Sequence, residues 1–274
     1  MIIRPKLIIA TVALLAMSAS LAQTAVSDVE DSTEILKIAA LEALISAPPE
    51  RALPLVIKVL DAENTDDVKE RALFVLSQID LPEAQTRLLD VARSDDPELS
   101  SEAVRMIGIG GNAEALAGLQ DLYGSGDEDL REAVLEAYMI AGDVDAVYTI
   151  ATNASDADEF EGAVHMLGVM GAVDKLQALS ESSGFTEELI RALGIAGGDD
   201  VNATLMQIYR GAETDDVREA ALQGMLISGY DEGVLQLYKE STDVHEKRDL
   251  LQMMSNMDSD LMMEVIDAAL AGGA

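Results

Sequence analysis

The sequence predicts an all-α protein, an α-solenoid of about eight helical hairpins, and three observations support this fold class. Glycines recur 26 to 32 residues apart, and a period of about thirty residues is typical of stacked helical pairs. Small and apolar residues between these glycines follow the period of an α-helix. Hydrophobic residues make up 49% of the chain but aromatic ones only 3%, which favours close-packed helices over a β-sandwich. The periodic glycines are Gly111, Gly142, Gly171, Gly197 and Gly229.

Each predicted hairpin consists of a first helix, a break and a second helix. The first helices are predicted at about residues 34–46, 66–79, 97–109, 128–141, 157–170, 186–196, 215–228 and 244–256. The second helices are predicted at about residues 50–61, 82–93, 112–123, 143–152, 172–181, 199–210, 231–240 and 259–270. Such hairpins contact only their sequence neighbours and together build a long surface, which is more typical of binding proteins than of enzymes.

The segment after residue 213 shows the local signals that define one hairpin. Either Thr214 or Asp215 is suited to cap the N-terminus of the first helix, because its side chain accepts from unpaired backbone N–H groups. Gly229 is predicted to adopt the left-handed conformation that ends this helix. Between them, one face carries Val217, Ala220, Ala221, Gly224, Met225 and Ser228. These small side chains predict that a neighbouring helix approaches closely.

The first 22 residues have the three-part pattern of a secretory signal peptide. Arg4 and Lys6 precede an apolar run at residues 7–17, and small residues precede Gln23. The run is shorter than the roughly 20 residues that span a bilayer, although an uncleaved anchor is the alternative. The chain has no Cys, which excludes a lipid anchor at the cleavage site and any disulfide. We therefore expect a secreted protein in the bacterial periplasm or outside the cell, with no membrane insertion after cleavage.

The expected domains follow from these boundaries. Residues 1–22 are the signal peptide, 23–33 a flexible acidic linker, 34–270 the repeat array and 271–274 a short tail. The repeat array is large enough to form a hydrophobic core without disulfides.

The chain is strongly acidic, with 51 Asp and Glu against 18 Lys and Arg and a net charge of −33. Such a surface repels phosphate backbones and anionic lipids, so we expect neither nucleic acid nor a membrane surface as partner. The carboxylates are spread along every repeat. This distribution favours a role in solubility, or adaptation to salt, over a dedicated basic partner, which remains the alternative.

Two short motifs resemble those of HEAT repeats, and in particular the HEAT-like repeats named after phycobilisome lyases. Three steps resemble the family's Asp-Val-Arg: Asp67-Val68-Lys69, Asp129-Leu130-Arg131 and Asp216-Val217-Arg218. Two helix ends resemble its Leu-Gly-x-x-Gly: Leu167-Gly168-Val169-Met170-Gly171 and Leu193-Gly194-Ile195-Ala196-Gly197. The resemblance covers about residues 34–270.

The resemblance implies an armadillo-type, right-handed solenoid whose second helices line a concave face. It also implies that the Asp and the basic residue of each step form ladders between adjacent repeats. Asp67, Asp129, Arg131, Asp216 and Arg218 would then be structural, as would the five periodic glycines.

No catalytic, cofactor-binding or metal-binding residues are predicted. The only histidines are His165 and His245, and neither has partners nearby in sequence that would indicate a ligand or a catalytic base. Deoxyhypusine hydroxylases use the same repeat and bind two irons through several His-Glu pairs, whereas only His245-Glu246 occurs here. We therefore expect no cofactor and no enzyme activity. The alternative is a metal-dependent enzyme on this scaffold, related to hydroxylases or lyases.

Two features are candidates for partner binding. Tyr123, Tyr209 and Tyr238 each end a second helix and would form a row able to anchor a protein, unless each ring packs on the next repeat. Met253 and Met257 belong to a methionine-rich C-terminal segment that would serve either as a docking surface or as a loosely packed cap. The predicted function is a non-catalytic, periplasmic scaffold or adaptor that holds a protein partner along the concave face of the solenoid. In one version of this hypothesis the partner is basic. A self-assembling structural component is a further alternative.

The signal peptide predicts a specific mature N-terminus. When the full gene is expressed in a bacterium, intact-mass measurement of the envelope protein is expected to show a chain that begins near Gln23. Leu14→Arg, within the apolar run, is expected to leave the chain uncleaved. Export that is insensitive to this change, or an exported protein that keeps Met1, would contradict the assignment.

Overall fold

A computed structural model describes residues 32–254, 263, 265–267 and 270. The regular secondary structure of these residues is helical, without strands, so the predicted all-α fold is confirmed for them. Residues 1–31, with the predicted signal peptide and most of the predicted linker, lie outside the described residues, as does the tail at 271–274. None of the described helices is both long enough and apolar enough to span a bilayer.

The helices alternate as the sequence predicts, and their ends agree with the prediction within two residues up to Ile227. The first helices are α1 (residues 32–44), α3 (Asp66–Ser77), α5 (Pro97–Gly110), α7 (Glu128–Ala141), α9 (Ala157–Val169), α11 (Glu187–Ala196), α13 (Asp215–Ile227) and α15 (Val244–Met254). The second helices are α2 (Pro49–Leu60), α4 (Pro82–Ala92), α6 (Ala113–Ser125), α8 (Val144–Asn153), α10 (Val173–Ser183), α12 (Asp199–Gly211) and α14 (Asp231–Glu240).

Side-chain caps and glycines define the helix ends. Thr214, rather than Asp215, caps α13, because its Oγ1 accepts from the backbone N–H of Val217 at 3.4 Å. Gly229 has a positive φ angle, as predicted, and so do the other four periodic glycines, with values between 63° and 72°. At Gly171 this conformation lets two backbone N–H groups donate to the last carbonyls of α9, from Gly171 to Gly168 and from Ala172 to Leu167.

The chain divides into two compact units, unit 1 at Met1–Ala137 and unit 2 at Tyr138–Ala274. In unit 1, α3 packs against α5, and in unit 2, α11 packs between α9 and α13. First helices of successive repeats are therefore direct neighbours within each unit. The core between the helices is aliphatic, with fully buried leucines at positions such as Leu73, Leu167 and Leu193.

Glycines bring neighbouring first helices into backbone contact. A Cβ atom on Gly168 would lie 2.7 Å from the Ala192 carbonyl oxygen, and one on Gly194 would lie 2.7 Å from both Cα and O of Gly224. In unit 1, a Cβ atom on Gly108 would lie 2.7 Å from the Ala137 carbonyl oxygen. Each of these three glycines stands three residues before a periodic glycine. The two glycines of the motif thus have different tasks, close helix approach and helix termination.

Ion-pair ladders between repeats exist, but the residues of the Asp-x-Arg step do not form them. Arg218 pairs with Asp215 of its own helix at 2.7 Å, and Arg131 lies over the Tyr123 ring with its Cζ 6.0 Å from the centroid. Asp67, Asp129 and Asp216 are exposed in the first turns of their helices, where a carboxylate opposes the helix dipole. The ladder assignment for these five residues was therefore wrong.

The observed ladder joins equivalent helices of adjacent repeats through other residues. Its pairs are Arg71–Glu42 (3.7 Å), Arg87–Asp61, Lys175–Asp145 (2.7 Å), Arg191–Glu161 (3.4 Å) and Arg210–Glu240 (2.7 Å). Each pair is at least partly exposed, so solvent screening keeps its contribution to stability small. The ladder tunes the stacking of repeats, and helix packing supplies most of their stability.

Because α11 and α13 are in backbone contact, adding one methyl group at this contact is expected to destabilise the fold strongly. Gly194→Ala is expected to lower the free energy of unfolding by about 1–3 kcal/mol, because the new Cβ meets backbone atoms that have no room to move. Gly211→Ala is the control in the same unit, since its Cβ would meet nothing within 4 Å. Urea unfolding followed by circular dichroism measures both. Equal stability of the two variants would contradict the close-contact account.

Candidate functional site

Recesses in the described structure lie where first helices meet. In unit 1, one is lined by residues of α1, α3 and α5, among them Arg71, Phe74 and Arg105. In unit 2, two smaller recesses lie along α9, α11 and α13, with Arg191 in both. A further recess, about 910 Å³ in volume, lies in unit 2 between α13 and α15, beside the C-terminal ends of α12 and α14. We call it the acidic groove.

Carboxylates dominate the polar lining of the acidic groove. Six of them face two arginines: Asp215, Glu219, Glu240, Asp243, Glu246 and Asp249 against Arg210 and Arg218. The apolar lining is formed by Tyr209, Leu222, Leu237, Leu250 and Met253. The neutral polar residues Ser241 and Gln252 complete the lining of the groove. The groove therefore offers negative charge and apolar contact area together.

Both arginines of the groove already have carboxylate partners. Arg210 donates to Glu240 Oε2 at 2.7 Å, and Arg218 donates to Asp215 Oδ1 at 2.7 Å. Hydrogen bonds from Gln236 and from Arg210 lower the pKa of Glu240, so this carboxylate stays charged below its ordinary range. Because each arginine is paired, neither offsets the charge of Glu219, Asp243 or Glu246. Asp249 pairs with Arg248, its neighbour in sequence, at 2.6 Å.

Besides Glu240, three carboxylates of the groove accept hydrogen bonds from neutral donors. Glu219 accepts from the Gln223 amide at 3.2 Å, and Asp243 caps α15 by accepting from the backbone N–H of His245 at 2.7 Å. Glu246 accepts from Tyr209 Oη at 2.8 Å and from Ser241 Oγ. These donors hold the side chains in place and leave their negative charge for a ligand to meet.

Tyr209 belongs to the apolar lining of the groove and also donates a hydrogen bond to one of its carboxylates, Glu246. Its ring is only 5% exposed, and burial together with the hydrogen bond to Glu246 raises the pKa of its hydroxyl. Leu222, Leu237 and Leu250 are 7%, 5% and 0% exposed and form an apolar floor beside it. The floor is closed by helix packing, so a bound segment would lie on it rather than pass between the helices.

The tyrosines predicted to bind a partner pack on the following repeat. Tyr123 is 5% exposed, like Tyr209, and Arg131 of the next helix lies over its ring. Tyr238 is half-buried, with Lys247 Nζ 5.2 Å from its ring centroid. This arrangement agrees with the alternative interpretation of the tyrosine row, in which each ring is a packing element.

The methionines of the C-terminal segment have different surroundings in the structure. Met253 is half-buried and lines the acidic groove, whereas Met254 is fully buried. Met257 lies outside the described residues. Of the five predicted partner-binding residues, the structure therefore brings Tyr209 and Met253 together in one recess.

The two histidines lie on first helices. His165 on α9 and His245 on α15 are both exposed. In the part of the chain that the structure describes, no group of three or more His, Asp or Glu is arranged to hold a metal ion. Acidic turns instead serve as helix caps, since Asp127 accepts from the backbone N–H of Leu130 and Asp156 from that of Glu159.

The Tyr209–Glu246 hydrogen bond predicts a pH dependence of stability. Because the folded pKa of Tyr209 lies above the value of about 10 in an unfolded chain, its contribution is complete below pH ~10 and is lost as the pH rises through the folded pKa. Tyr209→Phe is expected to cost about 1 kcal/mol at pH 8. Between about pH 10 and 11.5, the free energy of unfolding should fall more steeply for the wild type, by up to ~1.4 kcal/mol per pH unit. Parallel pH profiles in urea titrations would contradict this account.

Solved structures similar to this chain were found, although no curated sequence was. No curated protein matches the sequence. A phycocyanin lyase, the complex of CpcE and CpcF from Nostoc sp., is similar over 81% of this chain and 93% of its own, with 19% identity and a TM-score of 0.37. Human deoxyhypusine hydroxylase in complex with glycerol is similar over 88% of this chain and 98% of its own, with 15% identity and a TM-score of 0.28. Likenesses this low carry no conclusion about what this chain does.

A family comparison concerns the repeats themselves. The model of the family described as HEAT repeats matches residues 57–139, which include α3 to α6 and most of α7. The matched segment contains two of the Asp-x-basic steps and the first periodic glycine, Gly111. The resemblance stated from the motifs is thereby confirmed for residues 57–139, which are similar to HEAT repeats.

Proposed function

We propose that this chain is an exported, non-catalytic scaffold that binds a basic segment of a partner protein in the acidic groove. The observation that carries the proposal is the lining of the groove, where six carboxylates and two paired arginines surround an apolar floor. A segment with Lys or Arg next to aliphatic side chains matches both parts of this lining.

Charge and apolar area have separate roles in the proposed binding. The net charge of −33 attracts a basic partner over a distance and speeds its capture, most strongly at low salt. Contacts with Met253, the half-buried apolar side chain of the lining, would then slow its release, since apolar contacts at the centre of an interface carry most of the affinity. Binding that is equally strong at low and high salt would remove the electrostatic part of the proposal.

The periplasm or the cell exterior is the proposed location. Support comes from the N-terminal pattern of residues 1–22 and from the absence of Cys, which makes folding independent of the redox state of the compartment.

Capture of partners from an envelope extract tests the function. The tagged full chain is compared with Glu219→Lys/Asp249→Lys, two exposed residues of the groove, and with Asp121→Lys/Glu181→Lys, two exposed residues of second helices. Both double variants change the net charge equally. We expect one dominant protein, at near-equal amount, on the wild type and on the second-helix variant but not on the groove variant. An empty column, or equal retention by all three, would contradict the proposed groove function.

A further inference from the structure

Exposed aliphatic side chains recur at one position of successive first helices, two residues before the periodic glycine. In unit 2, Val169 is 49% and Ile227 is 50% exposed, and Ile195 between them is half-buried. Ile109 and Ile140 occupy the same position of α5 and α7 and are 44% and 45% exposed. Nothing in helix termination requires a large aliphatic residue there, because the glycine and its backbone hydrogen bonds end the helix. We call Val169, Ile195 and Ile227 the aliphatic row.

Charge on the same three helices is confined to their other end. The sequences of α9, α11 and α13 contain eight Asp and Glu and two Arg, all in the N-terminal part of each helix. The segments that follow, from Met166, Ala192 and Ala220 to the helix ends, carry no charged residue. Each helix therefore runs from an acidic end to an apolar end.

The two ends form parallel bands, since α11 packs between α9 and α13. Glu161, Glu188 and Glu219 represent the acidic band, and each lies seven or eight residues before a member of the aliphatic row. At 1.5 Å per residue, the two bands are about 10–12 Å apart along the helices. This distance is about the diameter of one further α-helix with its side chains.

We propose that this surface of unit 2 docks an amphipathic helix of a partner protein, with its apolar stripe on the aliphatic row and Lys or Arg along one flank facing the acidic band. The proposal rests on the proposed protein-binding function and names the class of segment that is bound. Neighbouring helix axes lie about 8–10 Å apart, and positions i and i+7 of a helix are about 10 Å apart. Apolar residues at every seventh position of the bound helix would therefore contact successive repeats, one residue to each repeat.

Charge selects a foreign basic segment over a second copy of this chain. Two copies, each with a net charge of −33, repel one another, and their acidic bands would be brought together. Long Lys side chains on the flank of a bound helix would extend over the acidic band while their methylene groups cover apolar surface. Arg191, which pairs with Glu161, lies between the bands and lines both smaller recesses there.

A synthetic helix tests the docking surface with the full chain. The probe is a peptide of about 18 residues, five helical turns, with Leu on one face and Lys along one flank. A scrambled peptide of the same composition keeps the charge and removes the stripe. Fluorescence anisotropy is expected to show tighter binding of the ordered peptide, weakened about fivefold by Ile227→Ser and by Val169→Ser, from the lost apolar contact. Leu55→Ser, on α2 and likewise 50% exposed, is the matched control and should bind as the wild type.

A second pair of variants tests whether the Lys flank of the bound peptide contacts the acidic band. Glu188→Gln is expected to weaken the ordered peptide and to reduce its salt dependence, whereas Glu181→Gln on α10 should not. Equal binding of the scrambled peptide, equal loss with Leu55→Ser, or no effect of the row variants would overturn the proposal. Dimers in light scattering that disappear with Ile227→Ser would overturn it in favour of a second copy. If a natural partner is captured through the acidic groove and ignores the row variants, this inference fails while the proposed function stands.

Discussion

The structure depends on how closely successive first helices approach one another. At Gly108, Gly168 and Gly194 no Cβ atom separates the helix from the backbone of its neighbour, and the facing residue is Ala137, Ala192 or Gly224. Interaxial distance follows the size of the side chains at the contact, so a glycine against a small residue allows the shortest spacing. This contact sets the repeat-to-repeat distance within each unit, and the second helices then fill the remaining core with leucine, isoleucine and valine.

The same contact determines what is left for function. Small residues form the closest helix contacts, while the charged residues and some of the large aliphatic residues of the first helices are left exposed. In unit 2 these exposed residues are carboxylates at the helix starts and aliphatic residues at the helix ends. The acidic groove is the place where α13 and α15 leave a wider space, which Tyr209 and the Glu246 network border. In the proposed function, packing and recognition therefore use different faces of the same helices.

Local signals predicted most of the fold, and contacts between repeats were harder to predict. Helix ends were predictable because caps such as Thr214 and glycines such as Gly229 act within a few residues of chain. The ladder could not be assigned from one motif, since Arg191–Glu161 joins residues 30 positions apart whose meeting depends on the register of packing. The motif predicted that Arg218 forms an ion pair between repeats. In the structure Arg218 instead pairs with Asp215, one turn away on the same helix. The groove was missed because a recess depends on helix separation, which no local pattern sets.

The tyrosines show how a correct pattern leads to two interpretations. Tyr123, Tyr209 and Tyr238 do recur in register, and the recurrence alone does not distinguish an exposed row from a packed one. Burial of Tyr123 and Tyr209 supports packing. The aliphatic position two residues before each periodic glycine recurs equally well, and it is exposed in four repeats and half-buried at Ile195. Exposure, which the sequence does not give, therefore separates the two surfaces.

Carboxyl footprinting of the full chain, with and without its captured partner, tests the central claim that the first helices of unit 2 are the recognition surface. Exposed carboxylates are labelled with a carbodiimide and glycine ethyl ester, and their modification is read by mass spectrometry. The account predicts that the partner protects Glu188 and Glu219 on first helices and leaves Asp174 and Glu181 on α10 unchanged. Protection of Asp174 and Glu181, with Glu188 and Glu219 still fully labelled, would contradict it and assign recognition to the second helices.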